Sequence, residues 1–199
     1  MFYVMLPAYN EERDIGQLLE RIRDALAALQ ANYQLLVVND GSPDRTLEIL
    51  RSMQARLPLE VLDHGVNKGL GQAMLTGLRR AAALMNDDDI LFTMDADNTH
   101  EPALMGLMAE RIAQGSDLVI ASRYEQGGQE VGLSGLRSFL SRGASTLLKI
   151  FFPIRGAKDF TCGYRAYRGA TLKRAYALYG DHLVDEHGFT CMAEILIKM

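Results

Sequence analysis

Five short apolar runs alternate with four segments of helical period over the first 122 residues, and that alternation constrains the fold more than any other feature of the chain. FYVMLP (Phe2 to Pro7), YQLLVVN (Tyr33 to Asn39), LEVLD (Leu59 to Asp63), ILFTM (Ile90 to Met94) and LVIAS (Leu118 to Ser122) have the length and apolar content of buried parallel strands. Ile15, Leu18, Leu19, Ile22, Leu26 and Leu29 repeat at helical spacing after the first of them. Ser42 and Pro43 read as the N-cap and first turn of a helix over Asp44 to Arg56. Two further helices are predicted, one from the stretch VNKGLGQA to about Met85 and one running through Gln114. Each connection is about one helix long, which predicts an α/β fold: a parallel sheet with helices on both faces. Ligands of such sheets bind beyond the carboxyl ends of the strands. PAYNE, NDGS, the glycine stretch, DAD and SRY all fall there, and the alternation breaks after Tyr124.

At 199 residues the chain has room for one full core, and no linker divides it, so residues 1–199 read as a single domain. A net charge of −4 argues against a nucleic-acid partner. Cys162 and Cys191 stand far apart without metal-ligand spacing, which fits a reducing compartment and neither a zinc site nor a disulfide framework. Met1 to Leu6 lack a signal-peptide pattern, and no run approaches the roughly 20 apolar residues that span a bilayer. The last residues, Ile197 to Met199, stop inside a helical pattern, so the natural protein is expected to continue.

The chemistry concentrates after the fourth run, where Asp95 and Asp97 flank Ala96. Carboxylates at i and i+2 on an extended chain point to one side and can face one hard cation, Mg²⁺ or Mn²⁺. Ala96 leaves room for a ligand to approach the backbone, and Pro102 suits the first turn of the next helix. Alone, such a pair is more commonly an acidic strand-to-helix turn. Other motifs are equally weak singly: NDGS is an ordinary turn, NKGLGQA lacks the dinucleotide-binding spacing, and Arg123 reads as a surface arginine. Asp159 with Arg165 suits a structural ion pair, and His100 suits a turn hydrogen-bonder.

Together and in order, PAYNE (Pro7 to Glu11), VVNDGSPDRT (Val37 to Thr46), NKGLGQA (Asn67 to Ala73), DADNTHEP (Asp95 to Pro102), SRY (Ser122 to Tyr124) and DFTCGYRAYR (Asp159 to Arg168) resemble a family 2 glycosyltransferase. The DADxxHxP form and GYRAYR are most similar to the dolichol- or polyprenyl-phosphate mannosyltransferase branch. The resemblance implies a GT-A fold, Rossmann-like and mostly parallel, with 1–199 forming one catalytic domain. It implies contact with the nucleotide-sugar or its metal by Pro7, Tyr9, Glu11, Val38, Asp40, Asp95, Ala96, Asp97 and Arg123. Asp95 and Asp97 would hold Mg²⁺ or Mn²⁺, and Asp97 with Arg123 would carry catalysis. Each assignment has a physical counterpart: Pro7, Tyr9 and Glu11 give an apolar wall plus a carboxylate for ribose hydroxyls, and Asp40 can accept from a base N–H. Asn39 stands where the family often has an Asp, and Thr99 where relatives carry Gln or Ser.

The activity implied is inverting transfer of a hexose, mannose or glucose, from a GDP- or UDP-sugar to a polyprenyl or dolichyl phosphate, at the cytoplasmic face of a membrane. In Ser134 to Ile154, apolar residues interleave with Arg137, Arg142 and Lys149, as in a helix lying in a membrane interface or one covering the sheet. Arg137, Arg142 and Arg165, with Arg123, are the cations available for the acceptor phosphate. Two rival readings stand: transfer to a sugar hydroxyl, with Asp185 and Glu186 as the candidate base, and a nucleotide-sugar-binding module without catalysis.

Overall fold

The computed structural model describes residues 1–122, 154, 156 and 159–199. Arg123, Arg137, Arg142 and the amphipathic segment expected over 134–153 lie outside the described residues. The chain begins β1 (Phe2–Ala8), α1 (Ile15–Ala28), β2 (Tyr33–Asn39), α2 (Thr46–Met53) and β3 (Leu59–Asp63). It continues α3 (Leu70–Leu84), β4 (Ile90–Thr93), α4 (Leu104–Ala113) and β5 (Leu118–Ile120). After residue 159 come β6 (Arg165–Arg168), α5 (Gly169–Tyr179), a 3₁₀ turn (Gly180–Leu183) and α6 (Cys191–Lys198).

The six strands form one sheet in the order β3-β2-β1-β4-β6-β5. The period-two rule places alternate side chains on opposite faces. Val4 and Leu6 of β1, Leu35 and Val37 of β2, and Phe92 of β4 pack with α1 and α4, where Leu18, Leu19, Ile22 and Met105 are fully buried. Tyr3, Met5, Leu36 and Leu91 face the other way, onto Met74 and Leu78 of α3, Leu172 of α5 and Ile195 of α6. Each fully buried Leu or Ile contributes about 1.5–3 kcal/mol of transfer free energy. Both helical layers are therefore anchored on one strand set.

The mostly parallel sheet with helices on both faces is as expected, and two details are corrected. β6 is inserted between β4 and β5 and runs antiparallel to both, so the sheet is mixed on that side. RAYR is short and carries two arginines, so it lacks the apolar signature of an internal strand. It is buried because Arg165 and Arg168 spend their donors on backbone carbonyls, of Cys162, Phe160 and Met192 for the first and of Ile112 and Ser116 for the second. The second correction is the start of α2, which begins at Thr46 rather than at Pro43. There Asp44 Oδ1 accepts the Thr46 N–H (3.0 Å) and hydroxyl (2.6 Å) in a turn just before the N-cap Arg45, whose own side chain makes no cap bond, so Ser42 does not cap the helix. Ser42 Oγ instead accepts the Asn10 N–H across to the loop after β1.

Candidate active site

The carboxyl ends of β1, β2 and β4 open on a cleft of about 320 Å³ lined by Pro7, Tyr9, Glu11, Asp40, Asp95, Ala96 and Asp97. A larger hollow of about 790 Å³ lies beside β5, and none of these carboxylates lines it. Volume alone therefore does not locate the chemistry. The loop after β1 is held by α2 and its entry: the Glu11 N–H donates to Thr46 Oγ1 (2.8 Å) and the Glu12 N–H to Asp44 Oδ2 (3.1 Å). Asn10 makes the turn with φ of 61°.

Asp40 follows β2 and is nearly buried. Its Oδ1 accepts the Lys68 N–H (2.9 Å) and meets His64 Nδ1 at 2.6 Å, and its Oδ2 accepts the Gly69 N–H (2.9 Å). The carboxylate thus ties down the glycine stretch and keeps lone-pair capacity on Oδ2.

Asp95 and Asp97 are fixed differently. Asp95 Oδ2 contacts His100 Nε2 at 3.1 Å, and the His100 ring lies 5.2 Å from that of Tyr164. Gly163 backs the carboxylate so closely that a Cβ there would stand 2.6 Å from Asp95 Oδ1. Asp97 Oδ1 accepts the Thr99 N–H (3.1 Å) and hydroxyl (2.7 Å), so Thr99 shapes the metal candidate from behind. Arg21 of α1 clamps the turn, donating to Asn98 Oδ1 (2.5 Å) and Glu101 Oε2 (2.8 Å).

The electrostatics of the cleft are acidic. Glu11 is pushed up to about 7, first by burial and then by the negative charges of Asp97, Asp14, Asp44 and Asp95. Among the described residues, Asp95 Oδ1 and Asp97 Oδ2 accept no hydrogen bond. Two hard oxygens beside an under-neutralised carboxylate fit a divalent cation. Among the described residues no group of three or more His, Cys, Asp or Glu side chains is arranged to hold a metal, so waters and ligand phosphates would fill the other positions.

Several sequence assignments move. Val38 is fully buried within β2, and its side chain does not line the cleft. Arg165 is also fully buried, with Nε, Nη1 and Nη2 donating to the carbonyls of Cys162, Met192 and Phe160 at 2.7–2.8 Å. It is a structural fork and has no face to offer an acceptor phosphate. His100 bonds Asp95 rather than only its own turn. Asp185 is lowered from its ordinary value by hydrogen bonds from His182 and Lys198, and neither it nor Glu186 lines the cleft.

Asn67, Gly69, Leu70 and Ala73 of NKGLGQA and Phe189 also line the cleft, none of them assigned individually as a contact. The glycine stretch carried a signal, discounted as a turn. Phe189, 76 % exposed, carried none, because its loop reaches the cleft only through tertiary docking. There the Gly71 N–H donates to the His187 carbonyl (3.0 Å), and a Cβ on Gly71 would lie 1.7 Å from the Glu186 oxygen.

A mixed sheet carrying a carboxylate pair at the end of β4 is the GT-A glycosyltransferase architecture. A solved structure with that fold, glucosyl-3-phosphoglycerate synthase from Mycobacterium tuberculosis in complex with Mn²⁺, UDP-glucose and phosphoglyceric acid, superposes with a TM-score of 0.68 at 21% identity, covering 98% of this chain and 63% of that one. The chain belongs to glycosyl transferase family 2, whose profile matches residues 3–175. It is 36% identical over 196 residues to a dolichol-phosphate mannosyltransferase of Pyrococcus furiosus, covering 98% of this chain and 52% of the relative. It is 33% identical over 177 residues to a polyprenol monophosphomannose synthase of Mycolicibacterium smegmatis, covering 86% of this chain and 63% of the relative. The chain therefore spans about half to two thirds of the length of these relatives. Among the described residues no helix is long and apolar enough to cross a membrane.

Proposed function

We propose that the protein transfers a hexose, mannose or glucose, from a GDP- or UDP-sugar to a polyprenyl phosphate, with inversion at the anomeric carbon. The observation that carries this reading is the single cleft in which Asp40, Glu11, Asp95 and Asp97 meet. Asp40 Oδ2 offers an acceptor to a base N–H, Glu11 and Tyr9 face the ribose, and Asp95 and Asp97 would hold Mg²⁺ or Mn²⁺. Bound there, the ion supplies neutralising charge to the departing diphosphate. The related structure that binds Mn²⁺ with UDP-glucose has the same fold, and the relatives named for dolichol and polyprenol phosphates support the acceptor class.

The acceptor phosphate is anionic near neutral pH, with a second pKa of about 6. One of its oxygens forms the new bond to the anomeric carbon while the bond to the diphosphate oxygen breaks, and nucleoside diphosphate leaves. No proton must be removed, so no base is needed. The chain's part is to orient donor against acceptor and keep water out. Arg123, Arg137 and Arg142 are proposed to bind the acceptor phosphate, and contact with the cytoplasmic face of a membrane belongs to the same proposal. The position of Asp185, tied to Lys198 outside the cleft, gives no support to a sugar-hydroxyl acceptor.

The test is a panel of radiolabelled nucleotide-sugars with polyprenyl phosphate and Mg²⁺ or Mn²⁺, counting label extracted into organic solvent. Label transferred only to water-soluble acceptors would overturn the acceptor class.

A further inference from the structure

Beneath the cleft a chain of polar side chains runs where the sheet and α3 would otherwise meet through apolar contacts. His64, one residue past β3, has a side chain only 7 % exposed and lies against the 5 % exposed side chain of Asp40. Its Nδ1 is 2.6 Å from Asp40 Oδ1, and its Nε2 is 2.9 Å from Thr76 Oγ1 of α3. Both Asp40 oxygens accept backbone N–H bonds, from Lys68 and Gly69. The carboxylate is therefore the acceptor, Nδ1 carries the hydrogen, and Thr76 Oγ1 closes the line at Nε2. The His64 backbone is pinned too, its N–H donating to the Asn39 carbonyl at 3.0 Å.

We propose that His64 is a positioning residue of the donor cleft. It orients the Asp40 carboxylate so that Oδ1 takes the imidazole and the Lys68 N–H, while Oδ2 takes the Gly69 N–H and presents its remaining lone pair to the ligand. The geometry excludes a contact role, because His64 does not line the cleft. Two backbone amides, one on each oxygen and both from the same loop, leave the carboxylate free to rock about χ2 together with that loop, because the well is broad. The imidazole at 2.6 Å removes that freedom, and Thr76 in turn fixes the ring plane. The loop order is a property of the chain alone; the effect on ligand rests on the nucleotide-sugar reading.

The two halves are tested separately. In the free protein, exchange of the Lys68 and Gly69 amides is followed by hydrogen–deuterium exchange for wild type, His64→Ala, His64→Asn and His64→Gln, with thermal melts to confirm folding. Affinity for GDP and UDP is then measured by calorimetry in Mn²⁺ buffer, together with donor KM and kcat. A hydrogen bond to a charged group is worth enough that His64→Ala is expected to speed exchange and weaken nucleotide about tenfold or more. Donor KM rises by a similar factor while kcat stays within about threefold, the split expected for lost binding rather than lost chemistry.

The conservative pair decides between positioning and space filling. Asn places a donor where Nδ1 stands, whereas Gln places one near Nε2 and is the closer match in volume. Positioning predicts that His64→Asn retains most of the loop protection and affinity and that His64→Gln does not. The reverse order, or wild-type behaviour in His64→Ala, overturns the proposal. If loop protection follows the predicted order but wild type binds neither nucleotide, the positioning stands and the donor reading falls.

Discussion

The contact between Gly163 and Asp95 makes a sharp prediction, because it sets a backbone against a candidate metal ligand. In Gly163→Ala the new Cβ would lie 2.6 Å from Asp95 Oδ1 and 3.1 Å from its Cγ and Oδ2. Something must move. Gly163 is held in place, since its carbonyl accepts the buried Thr93 hydroxyl at 2.8 Å two residues before β6 pairs with β4. Asp95 has freedom: its side chain is 41 % exposed, and its one side-chain partner is His100. The carboxylate therefore swings toward the cleft.

An off-rotamer side chain costs about 0.5–1.5 kcal/mol, and losing the His100 contact costs a similar amount. A stability loss of about 1–3 kcal/mol lowers Tm by roughly 2–12 °C for a chain of this size. The effect on the ion is larger in proportion, because displacing a ligand or its support typically lowers metal affinity 10–100-fold. The assay pairs a thermal melt with a Mn²⁺ titration at saturating nucleoside diphosphate, followed by turnover. Unchanged Mn²⁺ affinity with the small Tm loss would refute the claim that Gly163 sets the position of Asp95. A collapse of the fold would show that the backbone yields instead of the carboxylate.

Asp97→Ala is expected to abolish turnover with Tm unchanged, since the residue is exposed, and wild-type activity in excess EDTA would defeat the metal assignment. Asp40→Ala releases His64 and the Lys68 and Gly69 amides together, so it should cost roughly 2–4 kcal/mol of stability as well as nucleotide affinity, measured by urea melts and calorimetry. Glu11 has a folded value of about 7, above its ordinary 4.5, so its contribution to stability is complete below about 4.5 and is lost as pH rises through about 7. In metal-free buffer the Tm difference between wild type and Glu11→Gln should fall across that window and flatten when Mg²⁺ is added; a pH-independent difference would contradict it. Arg165→Lys breaks a buried fork on three carbonyls and should cost roughly 2–4 kcal/mol. A raised acceptor KM at unchanged Tm would return Arg165 to the acceptor site.

Much of the fold was legible because its signals are local. The five apolar runs from Phe2 to Ile120 became strands within two residues of their expected ends, and the helical period of Ile15 to Leu26 marked the buried face of α1. β6 was illegible for a physical reason: the arginines that make RAYR look solvated are satisfied by carbonyls brought in from α4, from the loop before β6 and from α6. The start of α2 was misplaced because Ser42 and Asp44 are both competent caps, and the cross-loop bond from Asn10 engages Ser42.

The candidate site divides along the same line. Its carboxylates were readable because ligands for one ion come close together in sequence, as Asp95 and Asp97 do. The supports that were not readable arrive by tertiary contact: His64 reaches Asp40 across 24 residues, Arg21 reaches Asn98 across 77, and the Thr93–Gly163 bond behind Asp95 spans 70. The supports engage only part of each carboxylate's acceptor capacity. His64 and two amides hold Asp40 from beneath, His100 holds one oxygen of Asp95, and Thr99 holds one oxygen of Asp97. Each leaves acceptor capacity directed into the same cleft, beside a Glu11 pushed up to about 7 by burial and then by the surrounding negative charge. An arrangement that fixes three carboxylates yet, among the described residues, leaves them short of positive charge favours a ligand that brings a cation with it, and a metal-bound diphosphate meets that condition.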